Sequence, residues 1–286
     1  MAQEKKGLIT LHTAVLLMGL AGLFAKWIHL PSVVIVLWRV IFSSLFLFII
    51  LRIQKIGLKL KERKDYALLA VAGAILAVHW TTFMQSIQTS TVAIGTLTIS
   101  TFPLFVTFLE PILFRERLKA EHVMTAAVML AGILLIVPKF DFADSMTQGI
   151  LWGMTSSFSY AVLSLMNRKF MEKYPSTLTA FYEQGTAAVL LLPAFTLRPQ
   201  AGGSDFLILL LLGIVFTAIS HTLYIESLKY VKVQTAGIVS GLESVYSILA
   251  AFLLLGEMPS VRELAGGALI LGAAFYTSIR AAKSII

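Results

Sequence analysis

The stretch VAIGTLTISTFPLFVTFLEPILFRERLKAEHVMTAAVMLAGILLIV, residues Val92–Val137, contains two apolar segments that are separated by a short charged turn. Each segment is about 20 residues long, enough for a helix to cross a bilayer core about 30 Å thick. The turn between them holds Arg115, Arg117 and Lys119. Because positive residues are concentrated at the cytoplasmic ends of membrane helices, this stretch predicts two transmembrane helices joined in the cytoplasm.

The same alternation of apolar segments and short connections continues along the whole chain of 286 residues. We mark ten segments, near 7–27, 31–52, 65–88, 91–114, 120–138, 147–168, 176–197, 205–228, 232–256 and 260–280. With the N-terminus inside, 18 of the 23 Lys and Arg residues fall on the cytoplasmic side, four fall outside, and Arg39 lies within a span. This asymmetry predicts a multi-pass protein of the plasma (inner) membrane with both termini in the cytoplasm.

The composition argues against a soluble protein. The chain is 58% hydrophobic and 13% charged, whereas soluble domains are about 45–50% apolar and about 25% charged. The net charge of +8 comes from cytoplasmic connections, so we expect the lipid bilayer as a partner and no nucleic acid.

Several classes of chemistry are not expected from this chain. It has no cysteine, hence no disulfide and no cysteine-based metal site. The sequence holds no GxxxxGK[ST] phosphate loop and no HExxH or GxSxG motif. The longest connection, roughly 53–64, leaves no room for a nucleotide-binding domain. We therefore expect no cofactor, no resident metal, no enzyme activity and no ATP-driven pumping by this chain alone.

The two halves of the sequence repeat each other. When Glu116 is placed over Glu257, at an offset of 141 residues, Val92–Val137 aligns with Val233–Ser278. Individual matches such as Leu113 with Leu254 are weak, but their order is conserved along the alignment. The pattern predicts an internal duplication.

Each predicted half, residues 1–140 and residues 141–286, holds five spans. Because five is odd, the second half must enter the membrane with the opposite polarity. The predicted fold is an all-α membrane protein with ten transmembrane helices, arranged as two inverted-topology five-helix repeats. In secondary transporters built this way, the site lies near the midplane between the repeats.

Four features carry a resemblance to a known family: the run at 90–116, the run at 233–257 that ends in LLLGE, the glycine-rich segments AAVMLAGILLIV and AGGALILGAAF, and HWTTFMQSIQ at 79–88. With these the sequence resembles the EamA-type members of the drug/metabolite transporter superfamily. The resemblance implies ten helices in two inverted repeats, a small-molecule substrate and export. In one departure, Ser244 stands where Pro103 stands in the first repeat.

Glu243 is the deepest predicted carboxyl group in the membrane, about 16 Å along the ninth span. Ser240 and Ser247 share its helix face. Charged side chains at this depth are costly and are functional candidates. The alternatives are a proton or cation site, an anchor for a substrate amine, or a structural hydrogen bond.

Glu183 and Arg39 lie at approximately repeat-related places in the seventh and second spans. They could form an ion pair across the repeat axis, or hold the two ends of a zwitterion. The alternative for Arg39 is a side chain without a functional role, because its long stem can carry its charge to the outer interface.

Aromatic and imidazole groups supply the remaining candidates for substrate binding or translocation: His79, Trp80, His221, Tyr224, Tyr160 and Tyr246. Histidine can relay protons near neutral pH, and aromatic rings can surround a flat or cationic substrate. Helix packing is the alternative for all six. Pro103 is expected to kink the fourth span and to free carbonyl groups for a hinge or a substrate contact.

Together these features predict a secondary transporter that moves a small polar metabolite, an amino acid or a related compound, by alternating access with possible proton coupling. Efflux of cationic drugs or other organic cations is the alternative within transport. A passive channel and an intramembrane enzyme are the alternatives from other classes.

Overall fold

The structure is a computed structural model that describes residues 2–114, 120–137, 141–197 and 202–283. Within these residues the regular secondary structure is helical and contains no strand. The turn at 115–119, with Glu116 of the repeat alignment, lies outside the described residues. The helices are α1 (Ala2–Ala21), α2 (Phe24–Trp27), α3 (Ser32–Ile53), α4 (Arg63–Thr89), α5 (Val92–Ile99), α6 (Phe102–Phe114), α7 (Ala120–Ile136), α8 (Ser145–Phe170), α9 (Ser176–Leu191), α10 (Gly203–Gly213), α11 (Ser220–Ser227), α12 (Val233–Leu255) and α13 (Val261–Lys283).

Among the described residues, seven helical segments are long and apolar enough to cross a membrane. They are Lys5–Trp27, Ser32–Ile53, Arg63–Thr89, Val92–Leu113, Ser145–Phe170, Asp205–Ser227 and Thr235–Leu255. The other three predicted spans coincide with a shorter apolar helix, Val123–Ile136, with the 16-residue α9, and with α13, which carries charges near both ends. The all-α membrane fold is confirmed, and the count of ten spans stays a prediction.

Helix packing in the described residues is symmetric under exchange of the two halves. Helix α1 of the first half packs on α11 and α12 of the second, and α8 of the second half packs on α4, α5 and α6 of the first. Helices α3 and α9 pack on each other, as do α7 and α13. The two halves therefore interlock around a shared interior.

The predicted fourth span is two helices, because α5 ends and α6 begins on either side of Ser100–Thr101, just before Pro103. Ser244 Oγ lies 2.6 Å from the carbonyl oxygen of Thr96 and 2.7 Å from Ser100 Oγ. The residue that replaces proline in the second repeat thus hydrogen-bonds to the interrupted segment of the first. Protein hydroxyls occupy this break, and the hinge or substrate contact that we expected for the freed carbonyls stays a prediction.

The predicted eighth span is continuous but irregular. A π-helical segment, Ile214–Ile219, connects α10 to α11. Within it Thr217 Oγ1 donates a hydrogen bond of 2.7 Å to the carbonyl oxygen of Leu212, five residues earlier. Segments of this kind occur frequently at functional sites. Here it orients the Thr217 hydroxyl toward the interior between the halves.

Candidate substrate site between the halves

A buried cavity lies where the two halves meet. Its lining comes from α1, α3, α4 and α5 of the first half and from α8, the π segment, α11 and α12 of the second: Met18, Ala21, Arg39, His79, Trp80, Phe83, Ile99, Tyr160, Phe216, Ser220 and Glu243. The space open to the centre of a water molecule is about 20 Å³, which suffices for about one water. The cavity combines opposite charges with aromatic walls.

Arg39 extends from α3 into this cavity and is 3% exposed. The central carbon of its guanidinium group lies 4.2 Å from the centroid of the Trp80 ring. Its Nε donates a hydrogen bond of 2.9 Å to Thr217 Oγ1. A cation over an indole face is a favourable contact in a dry site. The side chain is therefore held inside, and the alternative in which it reaches the outer interface does not describe this structure.

Glu243 faces the cavity from α12 and is 6% exposed. It attracts Arg39 electrostatically, yet no ion pair within 4.0 Å joins these two described residues. Its helix lies very close to α1, because a Cβ atom on Gly19 would stand 3.1 Å from the Glu243 carbonyl oxygen. Ser247, on the same helix, donates a hydrogen bond to the carbonyl oxygen of Gly19. The glycine contact brings the carboxyl group toward the first half.

Histidine and tyrosine rings form one wall of the cavity and the layer behind it. The His79 ring stacks on Tyr160 at a centroid distance of 4.7 Å, and its Nδ1 lies 2.8 Å from Ser156 Oγ. The Tyr224 ring lies 5.3 Å from that of Tyr160, and its hydroxyl lies 3.1 Å from Ser164 Oγ. These contacts hold His79 and Tyr160 in fixed orientations.

Glu183 neither pairs with Arg39 nor lines the cavity that Arg39 faces, and this corrects both arrangements that the sequence suggested for these two residues. Its Oε2 instead lies 2.8 Å from Nε2 of His221, and both side chains are at most 1% exposed. The reason is the packing of α9, which places Glu183 against α11. The Trp80 ring lies 5.2 Å from the His221 ring and also contacts Arg39, so it links the Glu183–His221 contact to the Arg39 side chain.

Two glycines mark Arg39 and Glu183 as structurally related positions. A Cβ atom on Gly213 would stand 3.0 Å from the carbonyl oxygen of Arg39. A Cβ atom on Gly73 would stand 2.6 Å from the carbonyl oxygen of Glu183. In each half, then, the charged residue lies where its helix closely approaches a glycine of the other half.

Seven of the ten predicted residues lie at the cavity or one contact behind it, Glu183 lies one contact further, behind His221, and the remaining two lie elsewhere. Tyr246 packs against α1 at Gly19, outside the cavity lining. Pro103 packs against Gly237 of α12. Their aromatic and imino-acid character marked them in the sequence, but their helix faces are turned to neighbouring helices.

The sequence reasoning missed Thr217, Ser220, Phe83 and Phe216. Phe83 could have been predicted from the sequence, since it lies one helical turn after His79 and therefore on the same helix face. The other three lie in or beside the π segment, whose altered periodicity no regular helix spacing anticipates. Among the described residues, no group of three or more His, Cys, Asp or Glu side chains could hold a metal ion.

A buried site with opposite charges, enclosed by two interlocking halves of a multi-pass helical membrane protein, defines the class of membrane transporters. The chain belongs to the EamA-like transporter family, whose sequence profile matches residues 5–137 and again residues 147–279. The double match confirms that the chain holds two related repeats.

Curated relatives are named as transporters. An uncharacterized transporter of Archaeoglobus fulgidus is 30% identical over 66% of this chain and 68% of its own. The uncharacterized transporter YxxF of Bacillus subtilis is 23% identical over 97% of this chain and 91% of its own. A protein of Rickettsia felis named as an S-adenosylmethionine uptake transporter is 24% identical over 71% of this chain and 69% of its own.

A solved structure shares the fold. A protein known by crystal structure superposes with a TM-score of 0.72 at 20% sequence identity, over 96% of this chain and 98% of the other. At this identity the likeness concerns the fold alone.

Proposed function

We propose that this membrane transporter moves a small zwitterionic metabolite, an amino acid or a compound that carries an amino-acid group, by alternating access across the plasma membrane. The observation that carries the proposal is the placement of Arg39 and Glu243. Both charged groups are buried, both line one cavity, and they belong to different halves of the chain.

The charged groups of Arg39 and Glu243 are better placed to bind a ligand between them than to bind each other. Buried charges are costly unless they are paired, so a purely structural role would favour a direct ion pair. Arg39 and Glu243 instead leave the cavity between them. A planar guanidinium group matches a carboxylate through two parallel hydrogen bonds, and the Glu243 carboxylate matches an ammonium group. A zwitterion would satisfy both.

The cavity size connects binding to conformational change. Pockets for small molecules are typically about 300–1,000 Å³, far larger than the space found here. The site must therefore open before a metabolite enters. Because the ligand would bridge Arg39 of the first half and Glu243 of the second, it would favour renewed closure of the halves around it. Opening alternately on either side then constitutes transport.

The Rickettsia relative gives the substrate class a specific member. Its name refers to S-adenosylmethionine, a molecule with an α-amino-acid group and a sulfonium cation. The same two charged residues would bind its amino-acid group, while the rings of Trp80 and Tyr160 line the cavity for the remainder. We therefore include S-adenosylmethionine among the test ligands.

The experiment measures ligand binding first and transport second. Purified protein is heated with each of the twenty amino acids and with S-adenosylmethionine, and the ligand with the largest rise in melting temperature is taken into proteoliposomes for counterflow. We expect saturable counterflow in the wild type and none above empty liposomes in Arg39→Gln. Stabilisation by none of these ligands would contradict the proposal.

Efflux of organic cations is the second candidate, and a specific observation favours it. Glu243 shares its cavity with Trp80, Phe83 and Tyr160, and aromatic faces attract cations. Stabilisation by lipophilic cations such as tetraphenylphosphonium, with no response to amino acids, would support it. Arg39 disfavours this candidate because like charges repel in a dry cavity.

We propose export as the direction, as the family resemblance of the sequence implies, and cytoplasmic termini as the orientation. The charge asymmetry of the sequence supports the orientation, while the Rickettsia relatives are named for uptake. The assay therefore records both directions in intact cells. Labelling of single cysteines introduced at Gln3 and at Gly57 from the outside would contradict the orientation.

A further inference from the structure

Glu183 and His221 form a second polar site that is separate from the cavity. Neither residue lines the cavity, and both are at most 1% exposed. One hydrogen bond of 2.8 Å joins Glu183 Oε2 to His221 Nε2. Among the described residues, Glu183 Oε1 and His221 Nδ1 have no hydrogen-bond partner of regular geometry, although the Asn167 amide interacts with the carboxyl group. The pair thus has unused polar capacity while it is sealed from water.

The charge of this pair depends on a single proton. With a neutral imidazole and an ionised carboxyl group, the pair carries one negative charge. With one proton more, held on either group, the pair is neutral overall. Because burial penalises net charge strongly, the sealed environment favours the pair with the extra proton. Contact with water removes that preference.

A direct route links this pair to the cavity. Trp80 lies edge to face with the His221 ring at 5.2 Å, and its own ring carries the Arg39 guanidinium group at 4.2 Å. A change of charge on His221 therefore acts on the indole that positions Arg39.

Other titratable groups lie next to the pair and in the cavity beside it. His79 on α4 interacts electrostatically with His221 and with Arg39 of α3. Arg39 interacts in turn with Glu243 of α12, which interacts with Tyr160 of α8 and Tyr224 of α11. Arg39 is the cation of this set, and it disfavours a positive His221 because like charges repel. Because Trp80 separates the two, the pair can hold its proton while Arg39 binds a carboxylate.

We propose that Glu183 and His221 form a proton-binding site that couples proton movement to transport, with Trp80 linking it to the substrate cavity. The inference rests on the proposed transport function. A hydronium ion would donate its proton to the pair while the site is open to one side and would leave water behind. After the halves move, the pair would release that proton to water on the other side, one proton for each cycle.

The first test needs no substrate. In a variant that keeps Trp80 as its single tryptophan (W27F, W38F and W152F), indole fluorescence reports protonation of the neighbouring imidazole, because an imidazolium ion quenches indole emission. We expect one fluorescence transition between pH 5 and pH 9. H221Q and E183Q should each remove at least three quarters of its amplitude. Glu226→Gln changes another glutamate near the end of α11, whose Oε1 accepts a hydrogen bond from the Tyr230 hydroxyl, and it should leave the transition intact.

The swapped variant E183H/H221E separates a proton site from a merely structural hydrogen bond. It keeps one carboxyl group and one imidazole in contact, so we expect at least half of the transition amplitude to return. Melting temperatures of all variants identify any that fail to fold. A full transition in folded H221Q, or no transition in the parent, would overturn the inference.

The second test distinguishes this inference from the proposed function. In proteoliposomes with the amino acid of largest thermal stabilisation, an imposed pH gradient should drive accumulation at least tenfold above equilibrium in the wild type and not in E183Q. Wild-type counterflow without gradient-driven accumulation would overturn proton coupling and leave the transport function standing. A fluorescence transition without transport of any tested amino acid would retain the proton site and reject the substrate class.

Discussion

Arg39 and Glu183 occupy related positions in the two halves, but their surroundings differ. Each lies where its helix closely approaches a glycine of the opposite half, Gly213 for Arg39 and Gly73 for Glu183. Arg39 faces the cavity that it shares with Glu243. Glu183 is sealed against His221.

The difference shows how a duplicated fold can divide its tasks. The backbone contact is preserved in both halves, because two helices must cross closely in each. The side chains are then free to differ. In our proposal the first half supplies the cation for a substrate carboxylate, and the second supplies the group that holds a proton.

The largest expected effect comes from removing the charge on the cavity side of this comparison. Arg39→Gln should reduce counterflow at least 30-fold, because truncating one partner of a buried charge pair costs about 2–5 kcal/mol and each 1.4 kcal/mol is tenfold. Arg39→Lys keeps the charge but loses the planar fork, so it should retain intermediate activity. Equal counterflow in Arg39→Gln and the wild type would show that Arg39 does not bind the substrate.

The glycine contacts that make the two positions equivalent can be tested directly. A Cβ atom on Gly73 would stand 2.6 Å from the Glu183 carbonyl oxygen, and one on Gly213 would stand 2.7 Å from Phe42 Cβ. Because overpacking costs about 1–3 kcal/mol, both Gly73→Ala and Gly213→Ala should lower the melting temperature. Gly185→Ala is the matched control on α9, since its Cβ atom would meet nothing within 4 Å. If all three variants melt alike, the two crossings are not close contacts.

The positioning of Arg39 by the π segment predicts a smaller effect. Thr217→Val removes the hydroxyl that accepts the 2.9 Å hydrogen bond from Arg39 Nε. A hydrogen bond to a charged group contributes about 1.5–3 kcal/mol, so we expect about tenfold weaker substrate binding in a titration of thermal stability. Thr222→Val serves as control, because Thr222 Oγ1 has no hydrogen-bond partner among the described residues. Loss of binding in both variants would indicate general damage.

The smallest expected effect concerns the loops that lead into the compared regions. Glu62, just before α4, contacts Lys173 in the α8–α9 loop at 2.7 Å. Hydrogen bonds from Lys173 and then from Lys64 lower the pKa of Glu62 to about 2 from 4.5. The hydrogen bond to Glu62 likewise raises the pKa of Lys173.

These two pKa shifts define a pH window for the loop contact. A lowered carboxyl pKa stabilises the folded state above pH 4.5, and that contribution is lost as pH falls through about 2. The raised pKa of Lys173 contributes below 10.5 and is lost at higher pH. Glu62→Gln should therefore lower the melting temperature slightly at pH 7, and the difference should vanish near pH 2. Glu172→Gln, which lies next to Lys173 in the α8–α9 loop and is exposed, should show no such dependence.

Much of the fold follows from the sequence because the physics of the bilayer constrains it. Long apolar segments bounded by basic residues predicted the helices, and the duplication around Glu257 predicted the repeats. The interruption at Ser100–Thr101 followed from Pro103, whose ring disrupts the helix one turn back. The seventh segment was predicted too long, because α9 ends at Leu191 and the chain continues as a 3₁₀ helix, Leu192–Leu197.

The charged residues of the site could be predicted from the sequence, but the residues that they contact could not. Arg39, Glu243 and Glu183 stood out because charge is expensive at membrane depth. That Glu183 pairs with His221 depends on the rotation of α9 against α11, which one sequence cannot specify. The role of Thr217 depends on a π segment, and that segment has no distinctive composition.

The most direct measurement combines changes in the protein with matched changes in the ligand. The amino acid with the largest thermal stabilisation is compared with its methyl ester, which lacks the carboxylate, and with its N-acetyl derivative, which lacks the ammonium group. In the wild type both derivatives should bind at least tenfold more weakly. Arg39→Gln should no longer discriminate against the ester, and Glu243→Gln should no longer discriminate against the N-acetyl compound. If each variant instead weakened the parent amino acid and both derivatives by the same factor, Arg39 and Glu243 would not hold the two ends of a zwitterion.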